Sequence, residues 1–259
     1  MLPSIGKKRT EVRHDGVPSA VERVEVKHEG LAGSTEKEFL EGFRGKLAMS
    51  IGSKHSGKSV TLLAYVRYAL EHELYDEYHM VLPTWEFEEN DSYAWLKKYK
   101  TKAKIYVYSE HDQMIIERLQ TRPRPYNKAF FGIDDSTGSW KIQADAEELK
   151  FLSRLRHFGV TQWIVVHTCR AGLPASLRSQ IDFLFLFMNT NRKALEAIYE
   201  EWLSISIPTF KEFMQIYKKE VLDKEYSSML IWCRKPGVYD THVKDWKFVT
   251  DYVKTDMKK

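Results

Sequence analysis

The chain has two cysteines in 259 residues, Cys169 and Cys233, and neither sits in a C-x-x-C pair or at a metal-ligand spacing from a histidine. That pattern points to neither a disulfide framework nor a zinc site and favours a reducing compartment. Long apolar runs are also missing. The longest uncharged stretches, Gly159–Cys169 and Phe183–Asn191, fall short of the ~20 residues that span a bilayer, so no stable transmembrane insertion is expected. The first residues, Met1-Leu-Pro-Ser-Ile-Gly-Lys-Lys-Arg, place charge after a very short apolar start, unlike a secretory signal. Internal repeats and low-complexity tracts are lacking. Charge of one sign is scarcely in excess: the net charge is +4 and the pI about 8.8. This is compatible with a polyanionic partner but does not establish nucleic-acid binding. A soluble protein, or one recruited to larger assemblies, is expected.

What is present is a core. With 43% hydrophobic and 13% aromatic residues, the chain can bury a full interior, most simply as one large domain with peripheral additions. Residues 1–36 are rich in charge, Gly and Ser without a sustained period and read as a flexible N-terminal arm. Residues 37–235 carry the organised pattern, and 236–259 read as a tail or extension. Expected strands are Lys46–Ile51, Tyr78–Pro83, Ala103–Tyr108, Ala129–Asp134, Gln162–His167, Asp182–Met188 and Ser227–Cys233. Helices are expected around Glu38–Phe43, Lys58–Leu74, His111–Leu119, Ala144–His157, Arg192–Leu203 and Pro208–Lys218. Buried-type strands separated by helices predict a three-layer α/β fold with a mainly parallel central sheet covered on both faces.

Following the first strand, Gly52-Ser-Lys-His-Ser-Gly-Lys-Ser59 fits the phosphate-loop pattern G-x-x-x-x-G-K-[ST]. Four fixed positions match by chance about once in a hundred chains of this length, given average glycine usage. Glycines allow the tight turn that points backbone N–H groups at a β-phosphate, and the following helix offers its positive end. The nucleotide-binding set is therefore Gly52, Ser53, Lys54, His55, Ser56, Gly57, Lys58, Ser59 and Val60. Lys58 is placed for the β/γ-phosphates of ATP and Ser59 for Mg²⁺.

A second signal is the strand ending in Asp134-Asp135. A carboxylate at a strand's C-terminal end beside a phosphate loop suits a Walker B role: Asp134 toward Mg²⁺, Asp135 toward the attacking water. The bland alternative is a pair of acids capping the turn before Ser136-Thr-Gly138. The next strand ends in His167-Thr168, either of which could contact the γ-phosphate or the water; a satisfied strand-end histidine is the alternative. Nearby arginines are Arg154, Arg156 and Arg178. Arg156 and Arg178 are candidates for a finger delivered to a neighbouring subunit, against ordinary surface ion pairs. The run Tyr93–Lys104 alternates aromatic and basic residues, as a nucleic-acid groove does, or as a solvated connector with its aromatics turned into the core does equally well.

This order of elements resembles the FtsK/HerA-superfamily genome-packaging ATPases of poxviruses, other large DNA viruses, virophages and membrane-containing phages and archaeal viruses. The resemblance is carried by Ile51–Ser59, Phe130-Phe-Gly-Ile-Asp-Asp135, Phe151-Leu-Ser-Arg-Leu-Arg-His157, Trp163-Ile-Val-Val-His-Thr168, Leu173-Pro-Ala-Ser-Leu-Arg178 and Ser228-Met-Leu-Ile-Trp232. It covers roughly residues 45–235. It implies a RecA-like P-loop NTPase of the ASCE division that hydrolyses ATP with Mg²⁺ and pumps double-stranded DNA into a preformed viral capsid at its portal vertex. It further implies a homo-oligomeric ring, pentamer or hexamer, working in the host cytoplasm or viral factory or attached to the virion. The family usually has Gln or Asn where this chain has His167, and many members have Asp-Glu or Asp-Asp at Walker B. Other readings are a cellular or phage FtsK/HerA/Zot-like DNA-pumping or morphogenesis ATPase, a P-loop kinase, and a nucleotide-switched binding module.

Overall fold

The computed structural model describes residues 42–83, 93, 95–96, 99–122, 128–134, 146–167, 175–205, 207–233 and 239–240, all within the unit Ser34–Lys259. The arm 1–36, most of the helix expected at Glu38–Phe43, Asp135, Thr168 and Cys169 lie outside the described residues. The strands are β1 (Leu47–Ile51), β2 (Glu77–Val81), β3 (Lys104–Tyr108), β4 (Ala129–Ile133), β5 (Val160–Val166), β6 (Phe183–Phe187), β7 (Ser228–Trp232) and β8 (Tyr239–Asp240). The helices are α1 (Lys58–Glu71), α2 (Gln113–Thr121), α3 (Ala146–Ser153), α4 (Leu155–Phe158), α5 (Ala175–Arg178), α6 (Arg192–Ile198) and α7 (Phe210–Tyr217).

One sheet runs in the order β3-β2-β4-β5-β1-β6-β7-β8. Strands β3 through β6 are parallel, and β7 and β8 add an antiparallel edge. The side-chain period of two divides the apolar strands between two cores. Leu47, Met49 and Ile51 of β1 join Phe131, Ile133, Ile164 and Leu186 under the helices that carry Ile116, Phe151, Ile198 and Phe213. Ala48 turns to the other face, where α1 brings Leu62, Tyr65 and Val66 against Phe130, Trp163 and Phe185. Two covered faces explain why β1, β2, β4, β5 and β6 are buried along their whole length. The expected three-layer arrangement is what forms.

Much of the aromatic content lies on the α1 face. The Trp163 ring stacks on Phe185 with centroids 4.8 Å apart, Tyr65 packs on Trp163 at 5.2 Å, and Phe43 packs on Phe183 at 4.4 Å. Trp163 satisfies its indole N–H on Ser50 Oγ at 2.9 Å, so the fully buried Ser50 is a partner rather than a defect.

Local chemistry sets the helix ends. Asp112, Asn191 and Thr209 cap α2, α6 and α7 by accepting backbone N–H bonds, and Thr209 with Glu212 forms a reciprocal capping box. Where one helix was expected over Ala144–His157, the described part breaks at Arg154 into α3 and α4, and Gly159, at φ 64°, ends α4. Both α6 and α7 widen into single π-helical turns, Tyr199–Leu203 and Lys218–Leu222. Strand β8 lies in the stretch read as a tail and pairs Tyr239 with Ile231.

The topology decides where chemistry can occur. Strand β5 pairs with β1 on one side and β4 on the other. Because β1, β4, β5 and β6 are parallel, the segments leaving their C-terminal ends share one sheet edge. That edge receives Gly52, Asp134, His167 and Met188. The antiparallel register Phe187↔Ser228 brings the approach to β7 to the same edge.

Candidate nucleotide site

Gly52 opens the loop where a side chain has no room: a Cβ there would lie 2.7 Å from Phe187 Cβ and 3.1 Å from the Met188 carbonyl oxygen. The loop is tied to the exit of β6 by Ser53 N–H donating to Met188 O at 2.7 Å. That exit is itself held, since the buried Tyr217 hydroxyl donates to Phe187 O at 2.7 Å and accepts from Asn189 N–H at 2.7 Å. Burial pushes the Tyr217 hydroxyl pKa well up, partly offset by the Asn189 N–H bond, so it stays a neutral strut.

The turn is made by two left-handed residues, His55 at φ 59° and Gly57 at φ 97°. Glycine adopts that conformation freely, whereas a histidine there carries strain. No side chain caps the start of α1, so its first N–H groups are left for an anion. Ser56 Oγ is buried in the same turn without a hydrogen-bond partner among the described residues. Lys58 is 4% exposed and folds back, its Nζ donating to Ser53 O at 2.6 Å.

Ser59 Oγ donates to Asp134 Oδ1 at 2.8 Å. Asp134, 1% exposed, is also fixed through its backbone, N–H to Val81 O at 3.0 Å. Its second oxygen, Oδ2, accepts from the Tyr93 hydroxyl. A hydroxyl and a carboxylate converging at the helix end of the loop are the hard oxygen donors that suit Mg²⁺ completed by water and phosphate. Among the described residues no cluster of three or more His, Cys, Asp or Glu side chains could hold a metal by itself. His167, half-buried at the end of β5, places Nδ1 3.3 Å from Gly52 O.

The predicted residues thus separate into two groups. Gly52 to Val60, Asp134 and His167 gather at the C-terminal edge. Arg156 does not join them: its Cα lies 3.0 Å from where a Gly45 Cβ would be, before β1. That is the opposite sheet edge, about 17 Å away at ~3.3 Å per strand residue. Arg178 is engaged in its own subunit, Nε donating to Glu201 Oε2 at 2.6 Å. Asp135 and Thr168 lie outside the described residues.

Tyr93, whose hydroxyl reaches Asp134, was not singled out for this site from the sequence. In the run Tyr93–Lys104 it is buried, as is Leu96, while Trp95 and Tyr99 pack against the α1-side core. Arg67 of α1 lies over Trp95, 5.9 Å from its centroid. The described aromatics are turned into the core, and Lys100, Lys102 and Lys104 stay exposed.

Solved structures share this architecture. The genome-packaging NTPase B204 of Sulfolobus turreted icosahedral virus 2, in complex with AMP, superposes with a TM-score of 0.55 at 16% identity, covering 75% of this chain and 95% of that one. The DNA-packaging ATPase B204 of Sulfolobus turreted icosahedral virus gives 0.54 at 14% identity, covering 76% and 96%. The fold is that of the B204 packaging ATPases. A further B204 structure, in complex with ATP-gammaS, gives 0.52 at 15% identity, covering 75% and 95%. In sequence, an uncharacterised protein 075L of Invertebrate iridescent virus 6 is 26% identical over 152 residues, 55% of this chain. The matched part spans 57% of that viral relative's length. No protein-family model matches the chain. Among the described residues, no helix is long and apolar enough to cross a membrane.

Proposed function

We propose that this chain is an ATP-hydrolysing motor that moves double-stranded DNA into a preformed viral capsid, working as a homo-oligomeric ring. The observation that carries the reading is the Ser59–Asp134 contact at 2.8 Å, made across an intervening strand β5. With it the loop, a hydroxyl and carboxylate pair and the end of β5 share one edge, which supports a site for nucleotide and Mg²⁺. The B204 fold supports the packaging role.

In this reading Ser59 and Asp134 hold Mg²⁺, which neutralises phosphate charge when bound. Lys58 leaves the Ser53 carbonyl and takes the β/γ-phosphates. The N–H groups from Gly57 to Val60 cradle the phosphate chain, and Lys54, His55 and Ser56 shape the loop around it. Asp135, assigned from the sequence, orients the attacking water. His167, already at the Gly52 carbonyl, reports the γ-phosphate to β5. Arg156 lies a sheet height from its own loop and therefore acts only on a neighbour's nucleotide. Arg178 does so only after leaving Glu201. The capsid vertex and DNA are the partners, met in the host cytoplasm, in a viral factory or on the virion.

The test is the ATPase rate measured against protein concentration, with and without double-stranded DNA. A steep rise with concentration, stimulation by DNA and loss in Lys58→Ala and Asp135→Asn are expected. Binding of ATP with negligible turnover at every concentration would favour a nucleotide-switched module, and stimulation by a small acceptor a kinase.

A further inference from the structure

Tyr226 is a large aromatic residue left mostly in solvent. It is 64% exposed, stands in the loop between the π-helical turn Lys218–Leu222 and β7, and adopts φ 55°. A left-handed backbone is unfavourable for a side-chain-bearing residue, and strain of this kind persists where surrounding structure imposes it. Tyr226 makes no hydrogen bond or ring contact with the other described residues. Its position is nevertheless defined: a Cβ on Gly57 would lie 3.5 Å from both Tyr226 Cβ and Cδ1, and 3.8 Å from Phe187 Cε1. The ring therefore borders the residue immediately before Lys58. Met188, 39% exposed, adds a second apolar side chain at the same edge, on the segment whose carbonyl holds Ser53.

An exposed aromatic ring beside a phosphate cradle is suited to the flat, apolar part of a nucleotide. With the phosphates against the N-terminus of α1, the base extends past the loop to its rim, and the rim next to Gly57 is where Tyr226 stands. We propose that Tyr226 is the base-stacking residue of the nucleotide site, a contact on the purine ring that neither the loop motif nor Asp134 supplies. This deepens the nucleotide reading above and rests on it.

The experiment is calorimetric titration of the full chain and its variants, in magnesium buffer, with ATP and with inorganic tripolyphosphate, which has the phosphates but no base. Losing one base–aromatic stack weakens binding by about 5–150-fold. Tyr226→Ala is therefore expected to bind ATP at least about fivefold more weakly while holding tripolyphosphate as the wild type does, and Tyr226→Phe, which keeps the ring, is expected to retain ATP. Lys58→Ala is expected to lose both ligands. Unchanged ATP affinity in Tyr226→Ala, with both ligands lost in Lys58→Ala, overturns the stacking role and leaves the nucleotide site standing. Equal weakening of both ligands in Tyr226→Ala overturns it as well, since the residue would then be shaping the loop. A wild-type chain that binds neither ligand overturns both the stacking role and the nucleotide reading.

Discussion

Ser59 Oγ donates to Asp134 Oδ1 at 2.8 Å, tying the first turn of α1 to the C-terminal end of β4 across β5. The carboxylate is almost fully buried, and a hydroxyl reaches each of its oxygens, Ser59 on one and Tyr93 on the other. An Asp134→Asn chain is expected to fold, because the hydroxyl facing the amide nitrogen can rotate to accept while the other still donates to the amide oxygen. Loss of the charge is expected to lower Mg²⁺-dependent ATP turnover by at least about 100-fold, since losing even a partner that only orients a metal's ligands costs about 10–100-fold. Circular dichroism and steady-state turnover on the same preparation check both halves.

Tyr93→Phe removes the hydroxyl that donates to the buried Asp134 Oδ2. Leaving a buried acceptor short of a partner costs about 1–3 kcal/mol, and a chain of this size loses roughly 2–4 °C of Tm per kcal/mol. Tyr99→Phe, at a partly exposed ring of the same segment, is the control and is expected to leave Tm nearly unchanged. Thermal unfolding of both variants reads the difference.

The contrast between Ser59 and Tyr93 also shows what a sequence can carry. Ser59 is legible because the loop pattern fixes it relative to Lys58, and Asp134 because a carboxylate ending an apolar strand is rare enough to notice. A mainly parallel sheet covered on both faces followed from the alternation of buried strands and helices, whereas the place of β5 between β4 and β1 is set by the sheet pairing itself. Tyr93 was not legible: its contact with Asp134 spans 41 residues, and nothing in an aromatic-basic run says which ring turns inward. Tyr226 was missed for a related reason, since its backbone angle and its approach to Gly57 exist only once β7 has paired with β6. The break at Arg154 escaped because the apolar positions Phe151, Leu152 and Leu155 continue a helical period through it.

Gly52→Ala is expected to damage the loop directly. The added methyl would lie 2.7 Å from Phe187 Cβ and 3.1 Å from Met188 O, so the loop must withdraw from β6 and stretch the Ser53–Met188 bond. Overpacking of this kind costs about 1–3 kcal/mol. Nucleotide binding is expected to fall with it, measured by calorimetry alongside urea unfolding.

Stability is expected to fall on mild acidification. His79 and His111 are both held to a pKa of about 4, below the ordinary 6.5. Burial is the main cause for each; Arg118 and Arg122 add to it at His79, while Glu77 there and Asp112 at His111 oppose it. Above pH 6.5 both histidines are neutral folded or unfolded, and their contribution is fully present. Between about 6.5 and 4 the unfolded chain takes up protons that the folded chain refuses, so stability drops with falling pH. The slope is at most about 1.4 kcal/mol per pH unit for each histidine. Urea unfolding at pH 7.5 and pH 5 reads it, and His79→Gln is expected to reduce the difference between the two.

The arginines are separated by what each does in its own subunit. Arg156 is exposed on α4 and its side chain forms no hydrogen bond or ion pair among the described residues, so Arg156→Ala is expected to shift stability by no more than about 0.5 kcal/mol. Arg178 is paired with Glu201, both side chains partly exposed at 23% and 31%, and breaking that pair costs at most about 1 kcal/mol. If Arg156 is the finger, Arg156→Ala keeps its ATP affinity and loses roughly 10³-fold or more in turnover. Glu201→Gln separates the two roles of Arg178: a finger freed from Glu201 keeps or raises turnover, whereas a structural ion pair loses the same stability in Glu201→Gln as in Arg178→Ala and leaves turnover alone. Mixing supplies the decisive arm. Lys58→Ala subunits carry an intact finger but no working loop, and Arg156→Ala subunits carry the reverse. Each alone is expected to be inactive, and in a ring a mixture is expected to regain turnover only where the arginine of one subunit completes the site of the next.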